Sequence, residues 1–168
     1  MNEQDELTQS EKELVKSFIR GSILFQNLDS KDEEIIVKAI KIQEAEEYEV
    51  VIKEGDSGNH FYIVSSGEYD CYKLIEDENI FIKTYRAGES FGELALMYNA
   101  PRAATIVTKA AGRILVLERS IFSQILKVAA LRKQTLIKEA IEKVEILQNI
   151  PKEERYPNFN IGMASFKF

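Results

Sequence analysis

Between Glu11 and Phe25 the apolar residues Leu14, Val15, Phe18 and Ile19 recur at helical spacing, and Gly21 interrupts them before Ile23-Leu24-Phe25. This predicts a helix, a glycine break and a short hydrophobic turn. In NLDSKDEEIIVKAI, Ser30 is followed three residues later by Glu33, the form of a capping box, and Ile35, Ile36, Ala39 and Ile40 supply an apolar face. A second helix is expected there. From Tyr48 the period changes. YEVVIK, FYIVSS, EYDCYKLI, NIFIKTY, RAATIVTK and GRILVLE are short and rich in β-branched and aromatic residues, as strands are. Turn formers such as EGDSGN, SGE, EDEN, RAGES, YNAP and AAG separate many of them. After Glu118 the helical period returns. Ser120 is placed to cap SIFSQILKVAA, and LRKQTLIKEAIEKVEILQNI sets Ile137, Ala140, Ile141, Val144 and Leu147 along one side, an amphipathic stripe. Pro151 ends it, and PKEERYPNFNIGMASFKF has no clear period.

The order of elements predicts an α+β chain, an antiparallel β jelly roll or barrel flanked by N-terminal and C-terminal helices. The expected divisions are an N-terminal segment with a helix at 1–22, the roll at about 46–118, C-terminal helices at 119–150 and a tail at 151–168. A chain of 168 residues holds one ordinary core and not two full domains.

Composition narrows what such a roll can do. The chain is 45% hydrophobic and 30% charged, values of a folded domain. No apolar run approaches a membrane span, so no membrane association is expected. The acidic start MNEQDELTQSEKE is not a secretory signal. With Cys71 as the lone cysteine no intrachain disulfide can form, and a cytoplasmic location is expected. A net charge of −6 argues against nucleic acid as the main partner, since a duplex binder needs a basic face. One cysteine and one histidine, His60, give zinc sites, Ser-His triads and Cys-His dyads little to work with. No enzyme, metal or cofactor is expected; a metal-dependent cupin needs several histidines, and a helix-turn-helix regulator needs more chain after the long helix.

Residues 88–105, GESFGELALMYNAPRAAT, set Glu93 and Arg102 among small and apolar residues. Gly88 and Gly92 flank Ser90-Phe91, and a short helical pattern, ELALMY, follows Gly92. Free N–H groups at a helix start attract anions. Pro101 stiffens the loop before Arg102, whose forked guanidinium suits a phosphate. Glu93 can accept from hydroxyls. A sugar phosphate satisfies both groups. A structural ion pair from Glu93 to Arg102, closing a loop of the roll, fits the same two residues. A Walker loop does not, because GxxxxGK[ST] is missing.

FGELALMYNAPRAAT resembles the phosphate-binding cassette of cyclic nucleotide-binding domains, above all that of the regulatory subunit of cAMP-dependent protein kinase. The resemblance runs from about Ile23 to Ile150, marking 23–150 as the expected nucleotide-binding domain. IKEGDSGNHFYIVSSGEYDCY is similar to the family's Gly-Asp turn and following strands, and LRKQTLIKEAIEKVEILQNI to its helix joining the first and second nucleotide domains. The resemblance implies a cAMP-binding regulatory module that inhibits the kinase catalytic subunit until cAMP binds. Its alternatives are the domain of another effector, such as cGMP-dependent kinase, or a nucleoside-binding variant. It implies that Glu93 takes the ribose 2′-hydroxyl and Arg102 the cyclic phosphate. Backbone groups at Gly92, Leu94, Ala95 and Ala103 complete the cradle, Cys71 lines the pocket, and Tyr98 lies near the kinase partner. The partners implied are cAMP and the catalytic subunit. Relatives that prefer cGMP usually carry a hydroxyl after the arginine; Ala103 has none, a bias toward cAMP of roughly 1 kcal/mol.

The chain departs from the family pattern in places. Asn59 stands where the family usually has an Asp that holds the cassette arginine, and Ile137 where it shows a kinase-docking Tyr. No Arg-Arg-x-Ser or Arg-Arg-x-Ala inhibitor segment occurs, and the length fits either an excised single domain or a short protein. Arg132-Lys133-Gln134-Thr135-Leu136 imitates a kinase site but reads as a solvated helix face. His60 reads as a turn histidine, and Asp77, Glu78 and Asn79 as a hairpin tip. Tyr156, Phe159, Phe166 and Phe168 are either a lid on a bound purine or loosely packed end residues.

Overall fold

The computed structural model describes residues 6–26, 28–97 and 100–143, the side chains of 142 and 143 excepted. Helix α1, Gln9–Gly21, starts at Thr8, whose hydroxyl accepts from the Glu11 amide at 3.2 Å while the Glu11 carboxylate accepts from the Thr8 amide at 2.8 Å. Glu11 is buried. Its other oxygen accepts from the Ser65 hydroxyl at 2.8 Å and lies 3.5 Å from Arg113 Nε. One carboxylate therefore caps the helix and pins it to the roll. Burial pushes the Glu11 carboxyl up, but the Thr8 amide, the Ser65 and Thr8 hydroxyls and Arg113 together hold it below its ordinary 4.5. A depressed folded value stabilises the fold above the unfolded value and is lost as pH falls through the folded one. Glu11→Gln should cost about 1–3 kcal/mol at neutral pH. Denaturant melts should show that gap shrinking below about pH 4.5; a gap constant down to pH 3 contradicts the assignment.

Helix α2, Ser30–Ala39, is capped one residue earlier than the sequence suggested. Asp29 accepts from the Lys31 and Asp32 amides, and Asp32 returns a bond to the Asp29 amide at 3.1 Å. Asp is as good an N-cap as Ser, so the Ser30–Glu33 box gives way to Asp29–Asp32. Both carboxylates also bind Arg132, with Arg132 Nη2 3.1 Å from the buried Asp32 Oδ1. Arg132 is thus a tether between helices and not part of a bare solvated face.

The strands are β1 Lys41–Ala45, β2 Val50–Ile52, β3 His60–Val64, β4 Glu68–Ile75, β5 Glu78–Tyr85, β6 Ser90–Phe91, β7 Thr105–Ala110 and β8 Gly112–Glu118. They form two antiparallel sheets ordered β1-β8-β3-β6 and β2-β7-β4-β5, an open jelly roll whose sheets do not join into a closed barrel. The first strand begins at Lys41 and not near 46, because KIQEA pairs with β8 from Lys41↔Val116 to Ala45↔Gly112. Strand β7 begins at Thr105, so Arg102 lies in a loop. The β4–β5 tip is the pair Glu76-Asp77, both at positive φ (51° and 65°), the geometry of a two-residue hairpin turn.

Strands β3 and β8 are buried on both faces. Phe61, Ile63, Leu115 and Leu117 pack outward with Val15, Ile36 and Phe122 of the helices. Tyr62, Val64, Ile114 and Val116 point into the roll with Tyr69, Cys71 and Phe91. After β8 a single helix α4, Arg119–Lys143, replaces the two expected segments, and Ser120 sits in its first turn with its hydroxyl on Glu118 at 2.8 Å. Phe122, Ile125 and Ala129 are buried, but Leu136 and Ile137 are 59% and 36% exposed. Val144, Leu147 and the aromatics of the tail lie outside the described residues. No described helix is long and apolar enough to cross a membrane.

Candidate functional site

Arg102 lies between helix α3, Leu94–Met97, and β7. Its backbone is held twice by the EGD turn: Gly55 N–H donates to the Arg102 carbonyl at 2.9 Å, and Arg102 N–H to the Asp56 carbonyl at 2.8 Å. The side chain reaches back to β3, where Nη2 donates to the His60 carbonyl at 2.9 Å and the guanidinium carbon sits 5.8 Å from the centre of the Tyr62 ring. It passes between two glycines. A Cβ at Gly58 would come within 2.0 Å of Nε, and one at Gly92 within 2.9 Å of Nη1; Gly92 also has φ +80°. Their missing side chains make room for the guanidinium.

The group is half-buried. Burial pushes its pKa down; Tyr62 opposes this and Arg119 adds to it. Among the described residues it has no carboxylate partner. The Glu93–Arg102 ion pair is not formed. Asn59 is exposed, and what it contributes is a carbonyl that accepts from the Arg119 amide at 2.8 Å. Arg102 therefore keeps its full charge, with one N–H on a neutral carbonyl and the rest of its fork available. A desolvated cation in that state is costly unless an anion joins it.

Glu93 follows Gly92 and is exposed. Burial pushes the Tyr85 phenol up, Cys71, Glu93 and Glu89 add to this, and Lys83 opposes it. Phe91 lies 5.1 Å from Tyr62 and 5.2 Å from Tyr85, ring centre to ring centre. Cys71 is buried in this cluster, and burial pushes its thiol up. The Glu93 and Leu94 amides find no acceptor among the described residues. Ala95 N–H donates to the Gly92 carbonyl at 3.0 Å and its carbonyl accepts from Arg119 Nε, so any part for its amide in a cradle needs the first bond to yield. Ala103 is exposed, and its carbonyl accepts from Lys73 at 2.8 Å. Tyr98 lies outside the described residues. No three His, Cys, Asp or Glu side chains among the described residues are arranged to hold a metal ion.

The structure thus packs Gly92 against Arg102, with Glu93 exposed at the next position in the chain and Cys71 buried in the roll. Sequence reading missed Gly58, Tyr62, the His60 carbonyl and Arg119. Gly58 looked like any turn glycine in EGDSGN, and His60 contributes through its backbone, which has no sequence signature. The sequence profile of the cyclic nucleotide-binding domain matches residues 42–128, just over half of the chain. The chain belongs to the cyclic nucleotide-binding domain family. Within that family it is similar to the cAMP-dependent protein kinase regulatory subunit of Schizosaccharomyces pombe, 38% identical over 154 residues, covering 84% of this chain and 37% of the relative. The regulatory subunit of Blastocladiella emersonii is 36% identical over 143 residues, covering 84% and 36%. A solved structure, the regulatory domain of Toxoplasma gondii PKA with cAMP, is 39% identical, covers 89% of this chain and 57% of that one, and has a TM-score of 0.65. The chain spans a little over a third of the length of these curated relatives.

Proposed function

We propose that this chain is the cAMP-binding regulatory module of a cAMP-dependent protein kinase, a cytoplasmic, non-catalytic protein that inhibits the catalytic subunit until cAMP arrives. The observation that carries the reading is the Arg102 guanidinium, half-buried, cradled by Gly58 and Gly92, and without a carboxylate partner among the described residues. A cyclic phosphodiester supplies the missing charge and matches the fork. Glu93 takes the 2′-hydroxyl, Gly92, Leu94, Ala95 and Ala103 offer backbone groups, and Cys71 lines the pocket. Ala103, lacking a hydroxyl, favours cAMP over cGMP.

Coupling to the helices runs through α3 and α4. Leu96 is buried in one cluster with Phe122 and Ile125, while Leu94 stays half-exposed. Arg119, the first residue of α4, donates to the Ala95 carbonyl and, through Nη2, to the Gly58 carbonyl at 2.9 Å. A ligand that draws the cassette toward Arg102 therefore pulls on the start of α4. It can shift that equilibrium only by its differential affinity for the two states, and by linkage kinase and nucleotide weaken each other's binding. A thermal-shift panel of cAMP, cGMP, other cyclic nucleotides and nucleosides tests the reading. Saturating cAMP should raise the melting point, corresponding to about 4 kcal/mol at a thousand times Kd. A rise with nucleosides alone contradicts a phosphate site.

A further inference from the structure

The β4–β7 ladder runs from Glu68↔Ala110 to Tyr72↔Thr105 and stops there. Beyond it the chain leaves the sheet through Ala104 and Ala103 to Arg102. Two side chains continue the connection. Lys73 Nζ, one residue past the last pair, donates to the Ala103 carbonyl at 2.8 Å and lies 3.3 Å from Glu54 Oε1. The other Glu54 oxygen accepts from the Leu74 amide at 2.8 Å, and the Glu54 amide donates to Thr105 Oγ1 at 3.0 Å. Glu54, Lys73 and Thr105 thus form a clamp around the residue after Arg102.

We propose that Lys73, held by Glu54, is a positioning residue for the nucleotide: it fixes the peptide that follows Arg102 and does not itself bind the anion. In a trans peptide the C=O and N–H point in opposite directions, so holding the Ala103 carbonyl sets where the Ala104 N–H points. With Gly55 and Asp56 holding the Arg102 backbone, the segment from 102 to 105 is fixed at both ends. The Lys73 ammonium already faces a carboxylate and a carbonyl, so it is not an open anion site. Exposed pairs of this kind add little to stability; their effect is geometric.

This inference rests on the cAMP reading above. The full chain and its Lys73→Met, Lys73→Arg and Glu54→Gln variants are titrated with cAMP by calorimetry, and amide exchange at 102–106 is followed without ligand. Lys73→Met and Glu54→Gln should each weaken cAMP by about five- to ten-fold and speed that exchange, with little change in melting point. Lys73→Arg should stay within about two-fold of the parent. Simple attraction between Lys73 and an anion predicts the opposite sign for Glu54→Gln, which removes a negative charge. Tighter binding by Glu54→Gln, or unchanged affinity and exchange in both variants, overturns the clamp. If the parent chain binds no cAMP, the cAMP reading fails first and the positioning role falls with it.

Discussion

Arg102→Lys should weaken cAMP binding by about 10²-fold or more and leave the unliganded fold standing. Truncating one partner of a buried charged hydrogen bond costs roughly 2–5 kcal/mol, and each 1.4 kcal/mol is about ten-fold. Lysine keeps the charge but not the fork. One ammonium cannot donate to the His60 carbonyl, as Arg102 Nη2 does, and still meet a phosphate edge-on. In the absence of ligand the variant should melt at nearly the parent temperature, since the arginine has no ion pair among the described residues to lose. Calorimetry checks both halves of the statement. Affinity within a few-fold of the parent removes Arg102 from the site.

Gly58→Ala should cost about 10- to 100-fold in cAMP affinity with only a small loss of stability. The new Cβ would lie 2.0 Å from Arg102 Nε, far inside contact distance, so the guanidinium has to move. It sits at the end of a flexible side chain and can swing outward without disturbing the backbone. The fold therefore survives while the fork loses its aim. Gly92→Ala is a less clean experiment, because φ +80° at Gly92 adds backbone strain to the same crowding. If Gly58→Ala acts through Arg102, its effect should largely vanish in an Arg102→Lys background. Full additivity in that double-mutant cycle assigns the loss to some other cause.

The legibility of these features in the sequence follows their physics. FYIV and RILVLE stood out because β3 and β8 are covered on both faces, which makes a strand a nearly continuous apolar run. KIQEA carries no strand signal: β1 buries only Ala45 fully and follows α2 directly, so neither composition nor a turn marks it. The α2 cap shifted by one residue because two adjacent residues, Asp29 and Ser30, both suit that position. The cassette was readable because Glu93 and Arg102 stand in surroundings where charges need a reason. Their separation was not: the residues alone fitted an ion pair equally well, and it took the fold to carry Arg102 back between Gly58 and Gly92. The clamp from Lys73 and Glu54 was invisible for a different cause, since it joins positions 19 residues apart to a carbonyl 30 residues further on.

The most direct measurement is a crystal structure of the chain with cAMP. Phosphate oxygens should lie within hydrogen-bonding distance of the Arg102 guanidinium, and the ribose 2′-hydroxyl should donate to the Glu93 carboxylate. A nucleotide bound elsewhere, with either side chain directed into solvent, contradicts this placement.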